Sequence, residues 1–443
     1  MEEYGDSGPP SAFINKVIFL FLGIASLLGW NALLTKLDFF NYFLSDINPF
    51  RSFPFLNYIL NITFQFILIY KKNLIPLKAE LIGGIVGSII FLVLLPLSAS
   101  LLGQNEMINK IITISLIVLM GFINALVSGG SFSYAGHFPL DMIVFFTVGQ
   151  GVSAIAMNVL EYIVLVSVHI DDEKKEYILR AWIFFGSAII ILLICLFFFL
   201  YSYKDEYCKY YLNKAENKIS NSNKQDDQML PLTSFEEKSG NNEEENDIKE
   251  QIKSDDYNDE DVEANVNIDP KFSYVFKKIW YFDILACYIY IVTFSLFPSV
   301  STDQEIFNIG DYNPVTIITI YNVFDTLGRY IVRFLKQSSR INSIIVLGRS
   351  ILLFTLIFNH YLQHSNNASE TFTSIFLIAN VALLGITNGI GATLTFGLVS
   401  RSTEDEIKKQ AGGSIGFFSI LGIFLGSCLA FGTGAITDTF KKK

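Results

Sequence analysis

The sequence predicts an all-α integral membrane protein, and three observations support this fold class. Hydrophobic side chains make up 51% of the 443 residues and charged ones only 17%, whereas charged residues make up about 25% of a typical soluble protein. Apolar runs recur along almost the whole chain at about 20 residues each, the helical length that crosses the hydrocarbon core of a bilayer. One long internal stretch interrupts this pattern with polar residues. We therefore expect a chain embedded in a lipid bilayer.

The apolar runs divide into about eleven predicted spanning helices, six before the polar stretch and five after it. The predicted spans are residues 13–35, 52–70, 79–102, 108–135, 139–168, 176–203, 276–299, 313–336, 341–362, 372–399 and 411–434. This 6+5 arrangement predicts an N-terminal bundle within residues 1–203 and a C-terminal bundle within residues 276–443.

The polar stretch, residues 204–275, is rich in Asn, Lys, Glu, Asp and Ser. Such a composition cannot bury enough apolar surface to offset the entropy lost on ordering, so we predict a disordered acidic loop. From Lys204 to Lys271 it carries 19 acidic and 9 basic residues, which accounts for the whole net charge of −10. The acidity therefore says nothing about a ligand of the membrane bundles.

The distribution of Lys and Arg in the short loops predicts the orientation in the membrane. The loops at 71–78, 333–340 and 401–409 hold nine of these residues, and the loops on the opposite side hold six. Because cytoplasmic loops are enriched in Lys and Arg, we expect the N-terminus and the long loop in the cytoplasm. Eleven helices then place the C-terminus outside, and the plasma membrane is the expected location.

Cysteine usage and motifs disfavour a metalloprotein or an enzyme. The four cysteines are widely spaced, and none forms a C-x-x-C pair, so neither a disulfide framework nor a zinc site is expected. The sequence contains no H-E-x-x-H and no phosphate-binding loop. We expect no catalytic residue, no cofactor, no metal and no nucleic-acid partner, and the oligomeric state is left open.

The eighth predicted helix contains charged residues at membrane depth. Asp325 and Arg329 are four residues apart, hence on one helix face and able to pair, and Asn322 lies one turn earlier. A charge in mid-membrane costs at least about 2.5–3.5 kcal/mol, so it requires a partner or a water-filled path. Together the pair offers an acceptor and donors to a polar solute. The alternative is an ion pair that only holds this helix against its neighbours.

Two further helices carry polar faces. In the second predicted helix Asn57, Asn61 and Gln65 repeat every four residues, which predicts a stripe facing protein or water. In the fourth, Asn124 and Ser128 share a face by the same spacing. Packing hydrogen bonds and the lining of a pathway are both open for these residues.

Three further residues lie near helix ends, and two of them allow two interpretations each. Trp30 is either an interfacial aromatic residue or a stacking surface for a flat ring in a cavity. Glu161 is either the unpaired carboxylate that couples transport to protons or a water-exposed residue at the pathway mouth. Arg349 lies near a predicted helix end, where snorkelling to the interface explains it. No role in function is assigned to Arg349.

Several motifs together resemble the equilibrative nucleoside transporter family. The matching stretches are LLGWN (27–31), INALVSGGSFSYAGHFPLD (123–141), VGQGVSA (148–154), YNVFDTLGRY (321–330), ITNGIGA (386–392) and AGGSIGFFSILGIFLG (411–426). The fourth of these is similar to the N-x-x-D-x-x-G-R signature of the eighth helix and is the most specific. In the first, Gly29 stands where the family has proline.

The resemblance implies a major-facilitator-like fold with alternating access around a central cavity. It implies that Trp30 stacks on or gates the solute and that Asp325 and Arg329 bind its base and sugar. Gln150, in the G-Q-G motif, joins the expected binding residues together with Asn322.

One departure from the family concerns the fourth helix. Family members often carry Gln there as a purine contact, and Ser128 occupies that position. A hydroxyl has one donor where an amide has two, so Asn124 is expected to compensate.

These observations leave two transport functions open. The first is a carrier for nucleosides or nucleobases, with purines favoured, driven by the solute gradient or coupled to protons. The second is a carrier of the same architecture for another small polar solute, such as a vitamin or a basic amino acid. An intramembrane enzyme or receptor is the third class, and no motif supports it.

Overall fold

A computed structural model describes residues 9–47, 49–71, 74–101, 106–214, 272–365, 368–404 and 407–441. Long helices dominate these ranges, and short linkers join them. The helices are α1 (Phe13–Thr35), α2 (Leu37–Leu44), α3 (Pro49–Tyr70), α4 (Leu77–Leu101), α5 (Glu106–Ala135), α6 (Leu140–Ser167), α7 (Glu173–Ser202), α8 (206–214), α9 (Phe272–Leu296), α10 (Ser299–Thr302), α11 (Asn313–Ile331), α12 (Ser339–Gly348), α13 (Ile351–His364), α14 (Glu370–Ser402) and α15 (Lys408–Lys441).

In the described ranges, nine helical stretches are long and apolar enough to cross a membrane. The second and eighth of the eleven predicted spans, α3 and α11, are outside this set. Both carry polar residues at membrane depth, and both pack against other helices: α3 on α5 and α15, α11 on α14 and α6. For α3 the apolar stretch, Ser52–Leu68, is shorter than in the nine. In α11 the polar side chains lower the hydropathy, which a helix that faces protein tolerates better than a helix that faces lipid.

The helices form two groups, which we call the N-terminal bundle (α1–α7) and the C-terminal bundle (α9–α15). In the first, α1 packs on α6 and α4 on α5; in the second, α9 packs on α15 and α11 on α14. Contacts of α6 with α11, and of α15 with α3 and α5, join the two bundles. We call the end of the molecule at α8 the α8 face, and the end at α2 the α2 face.

The prediction of disorder is wrong for both ends of residues 204–275. Residues 206–214 are helical, and residues 272–275 are the first turn of α9. The Tyr207 and Tyr211 rings pack against Phe138, and Asp205 accepts a 2.7 Å hydrogen bond from Asn15. Apolar residues at helical spacing give this end of the loop a surface that docks on the N-terminal bundle. Residues 215–271 lie outside the described ranges.

Gly389 allows α14 to approach α11 very closely. A Cβ added to Gly389 would lie 2.0 Å from the backbone oxygen of Asp325 and 2.8 Å from the backbone nitrogen of Arg329. Only a residue without a side chain fits between these two helix backbones. The contact therefore fixes the part of α11 that carries the two charged residues.

We predict that Gly389→Ala destabilises the purified protein, because the added methyl group forces α11 and α14 apart. The measurement is the thermal unfolding midpoint in detergent, and a fall of several degrees is expected. Gly186→Ala is the matched control, since nothing lies within 4 Å of a Cβ at that helical position. The control should be neutral or stabilising by up to about 1 kcal/mol through helix propensity. Equal midpoints for the two variants would refute the close-packing argument.

Candidate functional site

A cavity of about 110 Å³ lies between the two bundles. Side chains of α1, α3, α5 and α6 form one wall, and side chains of α9, α11, α14 and α15 form the other. Among the described residues that line it, Asp325 and Arg329 are the charged ones. The cavity is thus an otherwise uncharged chamber with one carboxylate and one guanidinium.

All seven residues expected from the sequence to bind a solute line this one cavity. They are Trp30, Asn124, Ser128, Gln150, Asn322, Asp325 and Arg329. Four come from three helices of the N-terminal bundle, α1, α5 and α6, and the other three from α11. The fold therefore brings together residues that lie up to about 300 positions apart in the sequence.

Asp325 and Arg329 form a buried ion pair along one face of α11. Arg329 Nε donates to Asp325 Oδ2 at 2.7 Å, and the two residues are 4% and 5% exposed. The i,i+4 spacing places both side chains on one helix face. Because the pair is buried, water cannot hydrogen-bond to its remaining donors and acceptors. Other protein groups must do so, since a buried charge with unsatisfied donors or acceptors is destabilising.

Arg329 also connects the two bundles. Its Nη1 donates to Gln150 Oε1 at 2.9 Å and to the backbone oxygen of Thr147 at 3.2 Å, both on α6. Gln150 Nε2 in turn donates to Ser26 on α1 at 3.2 Å. The ion pair is therefore more than a contact within α11: its guanidinium holds the C-terminal bundle to the N-terminal one at the cavity.

Asn388 and Arg349 extend this network, and the sequence-based interpretation missed both. Asn388 Nδ2 donates to Asp325 Oδ1 at 2.7 Å, and Asn388 Oδ1 accepts from Arg349 Nη1 at 3.2 Å. Arg349 is 2% exposed, so the prediction that it snorkels to the interface is wrong. Asn388 lies in the ITNGIGA stretch, which was the available signal.

Aromatic rings cover the cavity on two sides. Trp30 packs edge-on against Tyr58 with ring centroids 5.0 Å apart, and Phe297 stacks on Tyr321 at 4.2 Å. All four rings line the cavity, and Trp30 is 5% exposed. Of the two interpretations of Trp30, the structure supports the cavity wall. Rings placed this way offer flat apolar surfaces to a planar solute.

The polar stripe of α3 faces α5 and the cavity. Asn57 donates to the backbone oxygen of Ile117 at 3.1 Å and accepts from Asn124 at 3.1 Å, while Asn61 lines the cavity. Ser128 donates to the backbone oxygen of Asn124 at 2.6 Å. The stripe thus serves both packing and lining, and the hydroxyl of Ser128 is engaged within its own helix.

Glu161 is paired, contrary to the expectation of an unpaired carboxylate. Lys36 Nζ lies 2.6 Å from Glu161 Oε1, and the two side chains are 1% and 2% exposed. Glu161 borders a larger depression of about 760 Å³ on the α2 face, lined by both bundles. We call this depression the vestibule.

The pathway is closed toward the α8 face and continues toward the α2 face. Phe132 packs against Phe146 and Phe396 with ring centroids 5.3 Å apart in each case, which joins α5, α6 and α14 below the cavity. On the other side a neck of about 20 Å³ borders both the cavity and the vestibule, and Leu34 lines all three spaces.

Two helical bundles around one polar cavity, with a vestibule on one face, define a multi-pass membrane transporter. Solved structures support the fold. The proton:xylose symporter XylE of E. coli superposes with a TM-score of 0.59 at 14% identity, covering 97% of this chain and 94% of that one. The nucleoside transporter NupG gives 0.50 at 12% identity, with 97% and 98% covered. The expected all-α, major-facilitator-like fold is confirmed.

The family follows from sequence. A model of the nucleoside transporter family matches residues 114–434, and the chain belongs to this family. Similar proteins include Equilibrative nucleotide transporter 3 of Arabidopsis thaliana, 24% identical over 441 residues, with 97% of both chains covered. Equilibrative nucleoside transporter 2 of Mus musculus is 22% identical over 460 residues, with 96% of this chain and 98% of that protein covered.

We predict that Gln150→Leu destabilises the protein more than Thr147→Val does. Each change removes one side-chain hydrogen bond between the bundles, since the Thr147 hydroxyl accepts from Thr393 at 3.1 Å. The bond lost by Gln150→Leu involves the charged Arg329 and is worth about 1.5–3 kcal/mol, against about 0.5–1.5 kcal/mol for a neutral one. Thermal unfolding without solute measures the difference. A larger loss in Thr147→Val would contradict the assigned role of Arg329.

Proposed function

We propose that the protein carries nucleosides or nucleobases, with purines favoured, through the central cavity by alternating access. The observation that carries this proposal is the Asp325–Arg329 pair exposed to a cavity with aromatic walls. A carboxylate accepts from sugar hydroxyls or ring N–H groups, and a guanidinium donates to carbonyls and ring nitrogens. The aromatic rings suit the faces of a planar base. The cavity thus offers hydrogen-bonding groups to the sugar and to the edge of the base, and aromatic rings to the face of the base.

The assignment of roles follows the position of each residue. Trp30 and the Phe297–Tyr321 stack bind the faces of the base, and Asp325 with Arg329 bind hydroxyls or the base edge. Asn322 lines both the cavity and the neck, so its amide meets the solute on entry and offers both a donor and an acceptor. Gln150 and Asn124 hold their partners in the wall, and Ser128 shapes the cavity beside them.

Electrostatics favour this function over carriage of a basic amino acid or a cationic vitamin. The carboxylate of Asp325 is already paired with Arg329, and Arg349 adds a second buried guanidinium behind Asn388. Two cations and one anion leave the surroundings of the cavity with a positive excess. A cationic solute would be repelled there at low effective dielectric constant, whereas neutral bases with carbonyl oxygens and ring nitrogens would not.

Two features favour facilitated diffusion over proton coupling. Glu161, the best candidate for a proton carrier, is held by Lys36 instead of being unpaired. Asp325, the carboxylate that lines the cavity, has a hydrogen-bonding partner at each oxygen. The names of the plant and mouse relatives also describe them as equilibrative. The solute gradient then drives transport in either direction.

The cycle uses the N-terminal bundle (α1–α7) and the C-terminal bundle (α9–α15) as its moving units. The vestibule faces the exterior of the cell, and the aromatic contact of Phe132 with Phe146 and Phe396 closes the cytoplasmic side. We place the protein in the plasma membrane. The Lys and Arg distribution supports the orientation, with the N-terminus and the long loop in the cytoplasm and the C-terminus outside.

We predict that Asp325→Ala and Arg329→Ala each abolish uptake, because each leaves an uncompensated buried charge and removes a solute contact. Radiolabelled adenosine, hypoxanthine and uridine uptake in a transport-deficient host measures this. The double change to Ala removes the unpaired charge but not the need for the contacts, so it should stay inactive. Restored uptake in the double variant would make the pair structural. Absence of uptake by correctly folded wild-type protein at the surface would refute the proposed function itself.

The orientation is tested by glycosylation. The sequon Asn367-Ala368-Ser369 lies in the link between α13 and α14, and Asn367 itself falls outside the described residues. The proposed topology places this link outside the cell, where a glycan is added. We expect glycosidase treatment to shift the electrophoretic mobility of wild-type protein but not of Asn367→Gln. A fluorescence-quenching tag at the C-terminus gives an independent answer, and a cytoplasmic C-terminus would overturn the topology.

A further inference from the structure

Both carboxylate oxygens of Asp325 are held by the C-terminal bundle. Arg329 Nε donates to Oδ2 and Asn388 Nδ2 donates to Oδ1, each at 2.7 Å. A carboxylate oxygen can accept more than one hydrogen bond, so both oxygens remain available to a solute in the cavity. What the two donors fix is the direction in which the oxygens point.

The amide of Asn388 is itself oriented by its surroundings. Its oxygen lies 2.8 Å from Thr293 Oγ1 and 3.2 Å from Arg349 Nη1. Because a guanidinium can only donate, the side of the amide that faces Arg349 must be the oxygen. The NH₂ group is then directed at Asp325. A rotated amide would place its NH₂ group against the donors of Arg349 and its oxygen against the Asp325 carboxylate. Arg349 thus decides which end of Asn388 meets the carboxylate.

Arg349 is held in place by groups that carry no negative charge. It donates to the backbone oxygens of Ile289 and Leu384 at 3.1 and 3.2 Å and to Thr293 Oγ1 at 2.7 Å. Within the part of the chain that the structure describes, no Asp or Glu forms an ion pair with it. A buried guanidinium without a carboxylate partner is costly, so packing alone does not account for it. Its nearest charge-bearing connection is through Asn388 to Asp325.

We propose that Asn388 and Arg349 are positioning residues for solute recognition: they hold the Asp325 carboxylate in one rotamer, as an acceptor for a hydroxyl or ring N–H of the solute. This inference rests on the proposed function and adds a specificity device to it. With Asp325 fixed, a solute lacking the donor loses a hydrogen bond to a charged group. With Asp325 free to rotate or to be rehydrated, that loss becomes smaller and the carrier discriminates less.

The experiment measures how strongly the carrier discriminates between a parent nucleoside and an analogue, as the ratio of the two KM values. KM and maximal rate are determined for parent nucleosides and for analogues that each lack one donor, such as 2′-deoxy- and 3′-deoxyadenosine and 1-methylinosine. The analogue with the raised KM in the wild type identifies the donor that meets Asp325. In Asn388→Leu we expect the KM of the parent compound to rise by about tenfold or more, while the KM of that analogue changes little. The ratio of the two values should therefore fall toward one.

A milder variant and a matched control keep the test decisive. Thr293→Val removes the hydroxyl beside Asn388 and should lower the ratio in the same direction, by less. Asn342→Leu is the control, since Asn342 is equally buried in the C-terminal bundle and donates to Thr395 at 2.8 Å, outside this network. A purely structural role would reduce surface expression and maximal rate for all solutes alike, as in the control. An unchanged ratio in folded Asn388→Leu and Thr293→Val would overturn the inference.

A solute-free measurement separates this inference from the proposed function. If the wild type carries none of the compounds, the proposed function fails. A double-mutant cycle of Asn388→Leu with Asp325→Asn, followed by thermal unfolding, then reports whether the two side chains are coupled. Non-additive unfolding midpoints support the positioning contact, and additive midpoints overturn it.

Discussion

The buried ion pair of Asp325 and Arg329 constrains the rest of the structure. Two charges removed from water are stable only if hydrogen bonds complete their surroundings, and α11 alone cannot supply these bonds. Asn388 on α14 supplies one and Gln150 on α6 another. The position of α11 between α14 and α6 is therefore a requirement of its charges. The same charges lower the hydropathy of α11, which is outside the nine described stretches that are long and apolar enough to cross a membrane.

The side chains that hydrogen-bond to the ion pair respond differently to a movement of the bundles. Asn388 belongs to the same bundle as Asp325, so its bond survives a rigid movement of that bundle. Gln150 and the backbone oxygen of Thr147 belong to the other bundle, so separation of the bundles at this level breaks their bonds to Arg329. A guanidinium that loses buried acceptors is destabilised unless other acceptors replace them. Solute carbonyls or ring nitrogens can replace them, which links occupancy of the cavity to bundle movement.

The sequence predicted the residues whose signal is local. The i,i+4 spacing of Asp325 and Arg329 and the motif around them placed both on one face of α11, and motif positions identified the cavity wall around Trp30 and Gln150. Asn388 and Arg349 were missed because their bonds join α9, α11, α14 and the link between α12 and α13 across 35 to 63 positions, where helical periodicity carries no information. The ITNGIGA motif indicated that the stretch around Asn388 resembles the family, but it did not indicate that Asn388 contacts Asp325.

Arg349 and Lys36 show a common limit of hydropathy. Each is a cation close to a predicted helix end, and depth alone predicts that such a residue extends to the interface. Both are buried instead, for different reasons. Arg349 lies at the junction of α12 and α13, well inside the apolar stretch Ser339–His364. Lys36 is covered by further protein: α2 follows it directly, with Leu37, Phe39, Phe40 and Leu44 buried, and Phe184 lies beneath its ammonium group. Hydropathy treats everything beyond an apolar run as water. A cation at a helix end can be assigned to the interface only when the residues that follow it have no apolar face of their own.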